Sequence, residues 1–121
     1  MASPIAEQTE LVLLHHLAAF EAGVDAILAD YADDAVLLTA KGALHGHDQI
    51  RPVFQWLLSN VFKPNSPFTM VKQLVEGEIA YIVWSAESER YRVPLATDTY
   101  LIRDGKIVTQ TFAARLEPKS A

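Results

Sequence analysis

The sequence predicts an α+β domain in which helices pack on an antiparallel sheet. Three observations predict it. The first third of the chain carries apolar residues at helical spacing, and one more such stretch lies in the middle. Everything after the loop "KPNSP" at residues 63–67 reads as strands. Two of those strands are joined by Asp104-Gly105, a hairpin signal, because this pair tolerates the positive φ of a two-residue turn.

The first helix is expected from Ile5 to Ala22, closed by Gly23. At about 100° per residue, Val12, Leu13, Ala19 and Phe20 fall in one arc with His16 near its centre. Glu7, Glu10 and Glu21 lie opposite, and His15 at the polar margin. A short second helix follows in "VDAILADYA", where Ile27, Leu28 and Tyr31 share a face. The apolar run "DDAVLLTA" reads as a first strand, and "KGALHGHDQI" leads into a third helix from about Asp48 to Val61. Ile50, Phe54, Leu57 and Val61 form its inner stripe, and Pro52 should delete one backbone bond near its start. "FTMVKQLVEGEIAYIVWSAE" divides into two strands at Glu76-Gly77-Glu78. The last two strands are residues 93–103 and 106–116. A two-residue loop pairs Arg103 with Lys106 and so sets Thr111 opposite Asp98.

Composition narrows the function. A chain of 121 residues is expected to form one domain, residues 1–121. A net charge of −5 without a basic run offers nothing to nucleic acid or an anionic membrane. With no cysteine, thiolate metal sites and cysteine nucleophiles are excluded. "MASPIAEQTE" has neither a cationic start nor an apolar run, so a cytoplasmic location is expected. There is no Gly-rich phosphate loop and no Gly-x-Ser-x-Gly elbow.

Two residues break the apolar pattern. Asp98 shares a strand face with Tyr100 and Ile102, where a carboxylate is costly unless paired, hydrogen-bonded or protonated. His16 points inward from the first helix. An imidazole and a carboxylate aimed into one interior are a frequent active-site combination. The plainer readings are a satisfied core histidine, and an Asp98 that faces solvent or a subunit interface. Tyr100, Phe20, Phe54, Phe112 and either Trp84 or Tyr81 are candidate walls of a binding site, or plain core; Thr111 joins them as the residue opposite Asp98. Trp84 and Tyr81 lie on opposite faces of one strand. His45 and His47 form an H-x-H pair, but its setting before a helix favours His47 or Asp48 as a helix cap, and no metal is expected. Asp33-Asp34 reads as a solvated turn.

"HLAAFEAGVDAILADYADDAVLL", then "GHDQI" opening a helix, then "TDTYLIRDGKIVTQTF" resembles the nuclear transport factor 2-like superfamily. More narrowly, it is similar to the SnoaL-like polyketide cyclase and ketosteroid isomerase-like branch, over about Leu11 to Ala114. The resemblance implies a cone: a curved antiparallel sheet wrapped around about three N-terminal helices and enclosing an apolar cavity. It also implies a homodimer formed through the convex face of the sheet. In the isomerase, a tyrosine on the first helix and an aspartic acid on a late strand hold an oxyanion. Those positions fall on His16 and Asp98 here. Thr39 stands where the isomerase has its proton-abstracting aspartate, so steroid isomerisation by that route is not expected.

The resemblance thus implies a cofactor-independent isomerase, cyclase or lyase that moves protons on a small apolar carbonyl compound. Asp98 is the acid/base or oxyanion donor and His16 its partner. The alternative is a non-catalytic ligand-binding or accessory protein of the same fold. An open cavity with His16 and Asp98 in contact favours the enzyme, and a sealed core the accessory protein.

Overall fold

The structure, a computed structural model, describes residues 3–120. Its helices are α1 (Pro4–Ala19), α2 (Val24–Leu28) and α3 (Gly46–Asn60). The strands are β1 (Tyr31–Thr39), β2 (Gly42–His45), β3 (Phe68–Glu76), β4 (Ile79–Glu87), β5 (Tyr91–Arg103) and β6 (Lys106–Pro118). The six strands form one curved, unclosed sheet in the order β2-β1-β6-β5-β4-β3, with the helices packed against it. All neighbours are antiparallel except β1 and β6. That parallel pair departs from the expected all-antiparallel sheet. After β2 the chain crosses through α3 to the far edge, and the β3–β6 meander then returns to β1 running in the same direction.

α1 starts where Ser3 accepts the amide of Ala6 at 3.1 Å. It stops three residues earlier than the sequence suggests, because the amides of Ala22 and Gly23 both turn back onto the carbonyl of Ala19. Gly23, at φ 110°, begins α2 instead. His45 occupies the cap position of α3, and neither His47 nor Asp48 does. Gln49 reaches back to take the His45 amide at 2.7 Å, satisfying a donor that the helix leaves free. Residues 42–45 form β2 on the outer edge of β1, rather than a bare lead into α3. Asp33 and Asp34 are exposed, but within β1 rather than in a turn: between the pairs Tyr31–Ile107 and Val36–Thr109, β1 carries residues 32–35 and β6 only Val108.

The hairpin at Asp104-Gly105 forms as expected, with Arg103 opposite Lys106 and Ile102 opposite Ile107. Beyond that the register shifts, since Leu101 pairs with Thr109 and Val108 is an extra residue on β6. This bulge puts Phe112, not Thr111, opposite Asp98. A one-residue slip exchanges the two faces of a strand. Thr111 is therefore exposed on the convex side, whereas Gln110 is buried.

The core lies between the helices and the concave face. α1 supplies Leu13, His16 and Ala19, and α3 supplies Ile50, Phe54 and Leu57. Along β4, Ala80, Ile82, Trp84 and Ala86 are buried, while Tyr81 is half-buried on the other face. Trp84 is thus the inward member of that pair. Among the described residues no helix is long and apolar enough to cross a membrane.

Candidate active site

Between α1, α3 and the concave face lies a cavity of about 680 Å³, within the range of small-molecule sites. Phe20, Phe54, Phe62, Trp84, Tyr100 and Phe112 are prominent in its wall. The exposed loop residues Lys63, Pro64 and Asn65, with Glu21, mark its rim. Asp98 and Tyr100 of β5 and Gln110 of β6 contribute polar side-chain groups to the lining.

Asp98 sits on β5 between Ile82 of β4 and Phe112 of β6. Trp84 and Gln110, each two residues along on those neighbours, become its diagonal companions on the concave face. The Trp84 indole N–H donates to Oδ2 at 2.7 Å, and the Gln110 amide donates to Oδ1 at 2.7 Å. Burial pushes the Asp98 carboxyl up to about 6, and these two donors, which favour the charged form, hold it from going higher. At neutral pH the residue is a carboxylate whose proton affinity lies close to the ambient value, as a general base requires.

Gln110 is oriented from behind. The Tyr31 hydroxyl donates to its Oε1, which leaves the amide nitrogen turned towards Asp98. The Tyr31 oxygen in turn lies 3.5 Å from His16 Nε2. His16 is fully buried, and burial lowers its pKa against the opposing pull of Asp30, whose Oδ2 lies 3.7 Å from Nδ1. Asp30 accepts the His15 Nδ1–H at 2.7 Å through its other oxygen. A file of polar groups thus runs from the helix surface to the cavity: His15, Asp30, His16, Tyr31, Gln110, Asp98.

That file corrects the expected pairing. His16 does not touch Asp98; Tyr31 and Gln110 stand between them, and Trp84 and Gln110 make the burial of Asp98 tolerable. The offset runs along the strand: His16 meets β5 at Tyr100, the residue opposite Gln110 and two positions beyond Asp98. The imidazole also meets the rings of Phe20, Phe54 and Tyr100 edge-on. Of the candidate walls, Tyr100, Phe20, Phe54, Trp84 and Phe112 line the cavity, and Thr111 does not. The cavity is open, but the contact expected to accompany it is absent.

Thr39 is engaged in the β1–β2 turn, donating to the Gly42 carbonyl and accepting the Lys41 amide. His47 donates from Nε2 to the Tyr31 carbonyl at 2.9 Å, so it ties α3 to β1. Among the described residues no three His, Cys, Asp or Glu side chains converge as metal ligands do. Two site residues escape the sequence reading. Tyr31 reads as helical, and Gln110 acquires its inward direction only from the bulge at Val108. A glutamine two residues before the inward Phe112 was the available signal. Tyr100 has a further property: no group among the described residues hydrogen-bonds its hydroxyl, which burial and then the Asp98 charge keep firmly protonated.

A family model described as "SnoaL-like domain" matches residues 13–110. No protein of curated function matches the sequence significantly. Among solved structures, a nuclear transport factor 2-like protein of unknown function from Burkholderia xenovorans aligns with TM-score 0.74 and 20% identity, over 98% of this chain and 91% of that one. A candidate SnoaL-like polyketide cyclase from Jannaschia aligns with TM-score 0.76 and 12% identity, over 94% and 90%. A candidate ketosteroid isomerase from Kribbella flavida aligns with TM-score 0.74 and 13% identity, over 96% and 84%. At these identities the structural likeness speaks for the fold alone.

Proposed function

The chain belongs to the SnoaL-like domain family of the nuclear transport factor 2-like superfamily, and from that premise we propose a cofactor-independent enzyme of isomerase, cyclase or lyase type, acting on a small apolar carbonyl compound. The observation that carries the reading is Asp98, a carboxylate in an apolar cavity wall, held by two N–H donors and balanced near neutrality. Because both its oxygens accept hydrogen bonds, Asp98 acts as the base rather than as a neutral oxyanion donor.

In the proposed step Asp98 takes a proton from the carbon next to the carbonyl. The C–H electron pair becomes the enolate, and the Tyr100 hydroxyl donates to the enolate oxygen. Return of the proton to another carbon gives isomerisation; alternatively the enolate attacks a second carbonyl and closes a ring, and the alkoxide formed takes the proton back from Asp98. His16 and Tyr31 act through Gln110 as positioning residues. One such base supplies roughly 10²–10⁴-fold, and the cavity walls supply orientation beyond that.

Deuterium wash-in tests this reading. Cavity-sized ketones such as 2-tetralone and 2-decalone, incubated with the protein in deuterated buffer at neutral pH, should exchange their α-protons faster than with buffer alone. A set of such ketones that all exchange at the buffer rate would sink the proposal. The rate should rise with pH through about 6, as Asp98 ionises. Trp84→Phe removes one donor that favours the carboxylate, and should move that inflection up by roughly one pH unit.

The proposal includes a second copy of the chain on the convex face. Tyr81, Val83, Thr97, Thr99, Leu101 and Thr111 form a stretch without charge across β4, β5 and β6. Sedimentation should give a dimer for the wild type and a monomer for Thr99→Arg, which sets a charge at its centre. A wild-type monomer at all accessible concentrations would dismiss it.

A further inference from the structure

Among the described residues Asp98 is a carboxylate without a counter-cation. Trp84 and Gln110 are neutral donors, and among the described residues no ion pair reaches Asp98. Among the described residues Lys63 is the one cationic side chain in the lining, and it belongs to the exposed rim. Each carboxylate oxygen accepts one N–H and keeps acceptor capacity to spare.

The rings beside this charge have a particular arrangement. Trp84 and Phe112 flank Asp98 on the neighbouring strands with ring planes 10° apart and centroids 6.4 Å apart. Phe68 stacks on Trp84 at 5.7 Å, and Phe62 meets the same indole at 5.2 Å. Aromatic faces carry negative potential and attract cations, most strongly where water is excluded. A carboxylate among them offers the charge-assisted hydrogen bond that fixes an ammonium group. Burying such a charge without a positive partner is unfavourable, and a bound cation relieves that cost. The chain's net charge of −5 favours approach of a cation.

We propose that the cavity binds apolar amines as their ammonium ions, with an ammonium N–H donating to Asp98 and the ring body held among Phe54, Phe62, Trp84 and Phe112. The inference rests on reading this cavity as a small-molecule site, and it does not require catalysis. An amine seated on Asp98 occupies the proposed base, so it also acts as a competitive inhibitor of proton exchange.

Calorimetric titration of the wild type with 2-(2-naphthyl)ethylamine and with the isosteric 2-(2-naphthyl)ethanol tests the proposal. At pH 7.5 the amine should bind at least tenfold more tightly than the alcohol. That preference should shrink at pH 5, where Asp98 takes up a proton, and vanish in Asp98→Asn while the alcohol still binds. Equal affinity for the two ligands overturns the amine proposal and leaves the small-molecule site standing. An amine preference that persists in Asp98→Asn, or is unchanged at pH 5, overturns it as well. If neither ligand binds and no ketone exchanges, both the inference and the function it rests on fall. The pH comparison uses the wild type alone, so the test survives a variant that fails to fold.

Discussion

Asp98→Asn should lose the proposed proton exchange by roughly 10²–10⁴-fold and yet be more stable than the wild type at neutral pH. The stability half follows from linkage. The Asp98 carboxyl has an ordinary value of 3.8 and a folded value of about 6, so the folded state binds the proton more tightly than the unfolded chain. Such a group favours folding most below about pH 4. That contribution disappears as pH rises through about 6, and it stays absent above. The difference corresponds to on the order of 3 kcal/mol between the two limits. Asparagine carries no charge to desolvate, and its carbonyl can still accept the Trp84 N–H. Gln110 can turn its carbonyl to the new amide, with the Tyr31 hydroxyl rotating towards His16. Urea denaturation at pH 7.5 should therefore give a gain of up to about 3 kcal/mol, shrinking as pH falls towards 4. A loss of several kcal/mol at neutral pH would make Asp98 a structural partner and remove the central residue of the proposed enzyme.

Gln110→Leu should destabilise the protein by about 2–4 kcal/mol, although the two side chains are similar in size. Leucine removes the close acceptor of the buried Tyr31 hydroxyl, leaving it only His16 Nε2 at 3.5 Å, and takes away one of the two donors on Asp98. Each orphaned group costs about 1–3 kcal/mol. Adding Tyr31→Phe should recover part of the loss, because the hydroxyl that lost its partner is then gone. A merely structural Gln110 would leave the chemistry of Asp98 alone. If it positions the base, the conservative Gln110→Asn and the disruptive Gln110→Leu should both shift the pH dependence of exchange upward, the leucine variant further. A double variant no more stable than Gln110→Leu would argue against the coupling of Tyr31 to Gln110.

The two cases show how differently neighbouring residues can be read. Asp98 stands out in the sequence because its strand face alternates cleanly, and a carboxylate interrupts it. His16 stands out for the same reason on a helical period. Both are buried where periodicity puts them. Gln110 and Tyr31 are as central to the site, but neither breaks a pattern that can be seen locally. Gln110 follows the unpaired Val108 by two positions, so its face is known only once the bulge is. Tyr31 lies at a junction between α2 and β1, where three residues of apolar spacing suit either element.

Several features were thus determined by the sequence itself: the α+β class, the inner faces of α1 and α3, the alternation of β4 and β5, the Asp104-Gly105 hairpin, and the inward direction of His16. Each depends on propensity or on periods of 3.6 and 2 within one segment, which the backbone imposes whatever the rest of the chain does. Other features were decided only by the tertiary structure: the parallel β1–β6 pair, the Phe112 rather than Thr111 register, and the identity of the groups that meet Asp98. These depend on which strands become neighbours and on where a single extra residue interrupts the ladder. A one-residue slip leaves local propensity almost unchanged and reverses every side chain beyond it, so only packing against β1 and β5 decides it.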